Sequence, residues 1–222
     1  MADFKIKWDQ TGEKLFETGI DRGVFYPIED SGKYTNGEAW NGLTAFEESK
    51  SGGEPTAVYA NNKKYVELSS NEEYGGTIKA YTYPDGFDAC QGFVELEDGV
   101  VVTQQTHKRF GFTYRTLLGN DLKDIDLGYK IHLVYNAFAK PASMSSTTIN
   151  DNIEAKEMSW EITTTAAEVN KAGIKPTAHI VIDSTKCDPA KLTKIENLLY
   201  GSGGTEAKLP TVDEIIALLA DG

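Results

Sequence analysis

Two long segments of the chain alternate apolar and polar residues, the pattern of a β-strand. In the first, one face carries Tyr129, Ile131, Leu133, Tyr135 and Ala137, and the other carries Lys130, His132, Val134 and Asn136. In the second, Met158, Trp160 and Ile162 alternate with Glu157, Ser159, Glu161 and Thr163. Because side chains of a strand point to its two faces in turn, each segment predicts a strand with one buried and one solvent-facing side.

Shorter alternating runs predict further strands, at residues 65–69, 77–83, 100–105, 109–116 and 175–184. Glycine-rich stretches between them predict turns and loops. These are turns at Gly12, Gly19 and Gly23 in a hairpin-like start, a turn at 72–76, an exposed turn at 119–128, and a mobile surface loop, EESKSGGEP, at 47–55. The chain therefore predicts a mainly β protein, organised as a single domain over residues 1–222.

The C-terminal region changes to helical spacing. Asp188 and Pro189 provide an N-cap and a first-turn proline. The apolar residues that follow at helical intervals are Leu192, Ile195, Leu198 and Leu199. They predict a helix over about 189–200 that lies on the sheet and ends at Gly201. A capping box of Thr211 and Glu214 predicts a short second helix within a terminal arm, about 205–222.

Composition and charge narrow the functional classes. No apolar run approaches the roughly 20 residues that span a bilayer, and the amino terminus lacks the features of a secretory signal. We therefore expect synthesis in a cytoplasm, no membrane anchor, and buried free thiols at Cys90 and Cys187. The formal charge of −12, from 34 acidic and 22 basic residues, opposes binding to nucleic acid backbones. A negative charge of this size is explained by the need for solubility. It is explained equally by a protein surface along which DNA must pass without binding.

The sequence lacks the common motifs of catalytic, cofactor-binding and metal-binding sites. There is no phosphate-binding loop, dinucleotide fingerprint, zinc-ligand spacing or nucleophile elbow. The three histidines, His107, His132 and His179, are interpreted as structural. Three aspartates, Asp121, Asp124 and Asp126, are closely spaced but lack the glutamate that completes a calcium loop. We therefore expect no catalytic residue, cofactor or metal.

Two further patterns are of the kinds found in carbohydrate-active or carbohydrate-binding proteins. Glu157 and Glu161 would lie about 13 Å apart along one strand, too far for a glycosidase pair unless the side chains lean together, so a solvated strand face is the better interpretation. Aromatic residues at alternate positions could form a sugar-binding platform or the core of a sandwich, and the core is favoured. These residues are Tyr81, Tyr83, Phe110, Phe112 and Tyr114.

Several long segments resemble the major tail protein of long-tailed bacteriophages, most closely the versions from phages and prophages of Gram-positive hosts. They occur in the same order and together cover about residues 5–220. The segments are WNGLTAFEES (40–49), EPTAVYANNKKYVELSSNEEYGGTIKAYTYPDGFDACQG (54–92), FGFTYRTLLGND (110–121), GYKIHLVYNA (128–137), SWEITTT (159–165) and IKPTAHIVIDSTKCDPAKLTKIENLLYG (174–201).

The resemblance implies a structural virion protein without catalytic residues. It implies a β-sandwich or half-barrel with a flanking helix, whose copies form homohexameric rings that stack into the tail tube. Its partners would be further copies, the tape measure protein, the distal tail and tail terminator proteins, and double-stranded DNA passing through the bore. A phage-tail-like particle would use a similar subunit, and a β-sandwich carbohydrate-binding module is the alternative from another class.

The resemblance also assigns surface residues to assembly. On the polar face of the second strand, Glu157, Ser159 and Glu161 are expected to line or approach the lumen. The loop at 47–55 matches the place where such proteins reach a neighbouring ring. Its candidate residues are Glu47, Glu48, Lys50 and Glu54.

Overall fold

A computed structural model describes residues 5–148 and 155–220, and it is mainly β with helices at the C-terminal end. The strands are β1 (Phe16–Pro27), β2 (Glu38–Ala39), β3 (Leu43–Gly52), β4 (Pro55–Ala60), β5 (Lys63–Ser69), β6 (Glu72–Ala80), β7 (Val94–Glu97), β8 (Val100–Val102), β9 (Phe110–Asn120), β10 (Asp124–Ala139), β11 (Met158–Thr164) and β12 (His179–Asp183). A 3-10 helix spans Asp85–Cys90, and the α-helices are α1 (Pro189–Tyr200) and α2 (Val212–Ala220).

Eight strands form one antiparallel sheet in the order β2-β1-β9-β10-β11-β6-β3, with β12 added beside β10. β10 pairs with β12 along residues 130–134 and with β11 along residues 137–139. The sheet curls until β3 approaches β1, and a cleft of about 260 Å³ lies between the two strands. Two separate hairpins, β4–β5 and β7–β8, lie outside this sheet.

An aromatic core fills the inside of the curl. Trp40, Phe87, Phe112 and Trp160 lie at its centre, with ring centroids 4.7 Å apart for Trp40 and Phe87 and 5.6 Å apart for the two tryptophans. The Trp40 indole donates to the carbonyl of Thr82 at 2.9 Å, so the ring is buried without an unsatisfied donor. Phe110, Phe112 and Tyr114 are buried in this core, which confirms the favoured interpretation for these three rings, whereas Tyr81 is exposed.

A second core covers the outer face of the same sheet. Its sheet side includes Ile131, Leu133 and Tyr135, and its helical side includes Ile195 and Leu199 of α1. β10 is therefore covered on both faces, and the prediction of a wet side at His132 and Val134 is wrong. Val134 is fully buried and His132 is 6% exposed. The second alternating segment behaves as predicted, since Trp160 and Ile162 are buried while Ser159 and Glu161 are exposed.

A β-bulge at Asn136 breaks the alternation of β10. The pairing register with β9 shifts between Val134 and Ala137, and Asn136 adopts a φ of +50°. The Tyr34 hydroxyl holds this residue, donating to Asn136 Oδ1 at 2.8 Å and accepting from its backbone N–H at 2.9 Å. Ala137 consequently faces the aromatic core instead of sharing a face with Tyr135.

Four stretches predicted as turns or loops lie wholly or largely in strands. Residues 47–52 belong to β3, residues 72–76 belong to β6, Gly19 and Gly23 lie inside β1, and all of 119–128 except residues 121–123 belongs to β9 and β10. At Gly76 a Cβ atom would lie 2.6 Å from the Phe46 ring and 2.7 Å from the Glu47 carbonyl. The glycines here permit close packing or bulges within strands, which sequence alone does not distinguish from turn formation.

The helices follow the prediction. α1 begins after Asp188, whose carboxylate accepts from the backbone N–H groups of Ala190 and Lys191. α2 begins with the predicted capping box, in which Thr211 and Glu214 exchange hydrogen bonds of 2.9 and 3.2 Å. Val212 and Ile215 of α2 are buried in the second core. The C-terminal segment at 205–220, predicted as a terminal arm, therefore packs against the rest of the fold. None of the helices among residues 5–148 and 155–220 has the length and apolarity needed to span a bilayer.

Candidate assembly surfaces and a buried histidine cluster

The most prominent surface feature is a projecting hairpin, here called the arm. β3 and β6 remain paired out to Gly52 and Glu72, and β4 and β5 continue the ribbon beyond them. The arm turns at Asn61 and Asn62, both with positive φ, as a tight two-residue hairpin loop requires. Over its six to seven residues per strand, β4–β5 extends about 20 Å past the sheet.

The arm is exposed although it carries large apolar side chains. Tyr59 is 70% exposed, Tyr65 is 76% exposed and Leu68 is 59% exposed. Val58 and Val66 face each other across the two strands, on the same side as Leu68. An isolated two-stranded hairpin is marginally stable in water. Large apolar side chains that are exposed together on such a hairpin are typical of a binding surface.

A second hairpin and a free strand edge are also exposed. β7–β8 exposes Val94, Leu96, Val100 and Val101. Within the described residues β3 pairs with β6 alone, which leaves the backbone groups along the other edge of β3 without a strand partner. Proteins usually protect such an edge unless another chain adds to it.

The three candidate lumen residues lie on the exposed face of the sheet or at its margin. Glu161 of β11 forms an ion pair with Lys140, and Glu157, just before β11, accepts from the Thr44 hydroxyl at 2.6 Å. Ser159 lies opposite Lys79 of β6. The charges on this face are therefore largely paired.

The four residues predicted for an inter-ring loop separate in the structure. Glu47 points to the same exposed face as Glu161 and forms an ion pair with Lys79 at 2.5 Å, and this contact raises the pKa of Lys79. Lys50 lies 3.6 Å from Glu72, and Glu54 is exposed between β3 and β4. Glu48 lies on the opposite face of β3, where it accepts from the Tyr114 hydroxyl while its side chain stays 37% exposed. Because Glu47, Glu48 and Lys50 lie in β3, the prediction that they form a loop is wrong, and only Gly53 and Glu54 separate the two strands.

Glu48 joins a cluster that sequence reasoning missed. It comes together with His132 of β10 and His179 of β12, and one ligand atom from each lies within 4.8 Å of the others. Each imidazole stacks on a tyrosine, with ring centroids 4.4 Å apart for Tyr114 and His132 and 4.3 Å apart for Tyr74 and His179. Only the pairing of β10 with β12 brings these histidines together, so no local signal in the sequence identifies the cluster.

Burial controls the charge of the two histidines of this cluster. It lowers the pKa of His132, and it lowers the pKa of His179 to about 4. Both imidazoles are therefore neutral at pH 7, with one nitrogen of each ring free of a proton. Burial also raises the pKa of the Tyr74 and Tyr114 hydroxyls well above the usual range, so both remain protonated.

Comparison with known proteins gives no family model that matches the chain and no significantly similar curated protein.

Proposed function

We propose that the chain is a tail tube subunit, a structural virion protein that assembles into stacked hexameric rings and forms the conduit for genome delivery. The observation that carries this proposal is the arm, a two-stranded ribbon about 20 Å long with exposed apolar side chains, to which no third strand pairs among the described residues. In a stacked tube the arm reaches a neighbouring ring, and its apolar residues are covered there.

The free edge of β3 and the curled sheet support ring formation. Rotational symmetry allows each copy to present the same edge to the next, so that a closed ring leaves no edge exposed. The fold proposed for the subunit is a half-barrel of the tail-tube type, with α1 flanking the sheet. The same geometry suits a phage-tail-like particle, whereas a carbohydrate-binding module loses support because its proposed platform is largely buried.

The polar face with Glu157, Ser159 and Glu161 is proposed to line or approach the bore. Its carboxylates are balanced in part by Lys79 and Lys140, which leaves a small negative excess. Such a wall presents no cluster of unpaired cations to DNA, and its charge acts only within about 8–10 Å at physiological salt. The tape measure protein would occupy the bore before the DNA, with the distal tail and terminator proteins at the two ends.

The arm provides the first test. The triple variant Tyr59→Ser, Tyr65→Ser, Leu68→Ser removes exposed apolar area without touching either core, so we expect the subunit to fold and its tubes to be lost. Negative-stain microscopy of concentrated protein measures assembly, and thermal unfolding measures folding. Wild-type protein is expected to form rings or tubes.

The matched control is Ile174→Ser, which removes an apolar side chain 45% exposed on the body of the subunit. This variant is expected to assemble as the wild type does. If the triple variant forms tubes as readily as the control, the arm has no role in stacking. If wild-type protein yields only small particles at every concentration, the proposed function is wrong.

A further inference from the structure

We propose that Glu48, His132 and His179 form a binding site for a divalent transition-metal ion of the Zn²⁺ class. The ion would link β3, the strand that leads into the arm and is here called the root of the arm, to β10 and β12. The site uses one residue from each of β3, β10 and β12. It does not depend on the proposed function, because any role of the arm would benefit from a fixed root.

The spacing of the ligand atoms fits such an ion. His132 Nδ1 lies 3.2 Å from His179 Nε2 and 3.7 Å from Glu48 Oε1. In a tetrahedral site with metal–nitrogen bonds of about 2.0–2.1 Å, neighbouring ligand atoms are about 3.3 Å apart. These two separations are close to the tetrahedral value, and both imidazole rings must turn so that their lone pairs converge on one ion.

The hydrogen bonds around His132 fix the nitrogen that is available. The Thr116 hydroxyl donates to Glu17 at 2.6 Å, which uses its only proton, so Thr116 Oγ1 must accept from His132 Nε2–H at 3.1 Å. Nδ1 of the neutral ring consequently carries the lone pair, and it points into the cluster. Metal-binding histidines are commonly oriented by a partner on the other ring nitrogen in this way.

The other two ligands also have supporting contacts. The Tyr114 hydroxyl donates to Glu48 Oε1 at 3.0 Å and so orients the carboxylate. In the ion-free protein His179 Nε2–H donates to His132 Nδ1, and the two rings are inclined by only 10°. Metal binding replaces that hydrogen bond with two metal–nitrogen bonds, and the proton of His179 moves to its Nδ1.

The cluster can be reached from solvent on the side of His179. A groove of about 750 Å³ runs between the root of the arm and the strands β11 and β12, and His179 and Tyr74 lie on its wall. Water from this groove can occupy the fourth position. Two nitrogens and one carboxylate favour Zn²⁺ or a similar ion over Ca²⁺ and Mg²⁺, which prefer oxygen ligands throughout.

The test uses the full chain without a histidine tag, after dialysis against a chelator. Isothermal titration with ZnCl₂ is expected to show one ion per chain, and Co²⁺ is expected to give visible absorption bands of a nitrogen- and oxygen-ligated ion. At a free Zn²⁺ concentration of 100 times the Kd, the midpoint of thermal unfolding should rise by about 5–10 °C.

Variants assign the binding to the cluster. His179→Gln and Glu48→Gln remove one ligand each and are expected to abolish or strongly weaken binding, while His107→Gln, outside the cluster, should bind as wild type. Thr116→Val removes only the orienting contact and should lower affinity about 10–100-fold. Absence of saturable Zn²⁺ binding by the wild type overturns the proposal, and so does equal affinity in His179→Gln and His107→Gln. Both results are independent of whether the chain forms tubes.

Discussion

The environment of each cysteine gives a prediction at the residue scale. Cys90 is 2% exposed in the aromatic core, and burial raises the pKa of its thiol to about 12. Because the thiolate is the reactive form, Cys90 should not react with a thiol reagent at pH 8 while the protein is folded. Cys187 is only partly buried and should account for the reaction of the native protein.

The measurement is labelling with a chromogenic disulfide reagent before and after denaturation. Cys187→Ser is expected to abolish labelling of the folded protein and to leave one reactive thiol in denaturant. Cys90→Ser should leave native labelling unchanged. Loss of native labelling in Cys90→Ser would show that the aromatic core opens readily.

Single residues also explain where sequence reasoning failed. The alternation from Tyr129 to Ala137 is unbroken in the sequence, yet the bulge at Asn136 moves Ala137 to the other face. That bulge depends on the hydroxyl of Tyr34, which is 102 residues away in the chain. The histidine cluster has the same origin, because β-strand pairing alone brings His132 to His179.

At the scale of elements, α1 is expected to contribute strongly to stability. Ile195 is fully buried between α1 and the sheet, so Ile195→Ala should leave a cavity and lower the free energy of unfolding by about 2–5 kcal/mol. Asn197→Ala, on the exposed side of the same helix, is the control and should change the free energy of unfolding by less than about 0.5 kcal/mol. Denaturant titration measures both. Equal effects of the two substitutions would mean that α1 is not held by its apolar face.

Elements defined by local signals were predictable, and those defined by packing were not. The bounds of α1 follow from Asp188, Pro189 and Gly201, which act on the helix ends directly. The polar residues and glycines at 47–53 resemble a loop, whereas the conformation of this half of β3 is set by pairing with β6. The exposed polar face of β11 was predicted correctly, since its other side alone is buried.

At the scale of the whole molecule, the proposed assembly would cover the arm and the edge of β3 that is unpaired among residues 5–148 and 155–220. Both carry groups that a folded protein normally covers, and copies of the same chain can cover them by symmetry. Six copies of a chain with charge −12 would bring about −72 formal charges into one ring, so assembly needs the apolar area of the arm and the edge pairing to outweigh repulsion.

Cryo-electron microscopy of the concentrated wild-type chain tests this account most directly. We predict rings of six subunits, joined along the edge of β3, with each arm reaching the adjacent ring and Glu157 and Glu161 facing the bore. A chain that remains monomeric at every concentration would contradict the account, as would a ring with both glutamates on its outer surface.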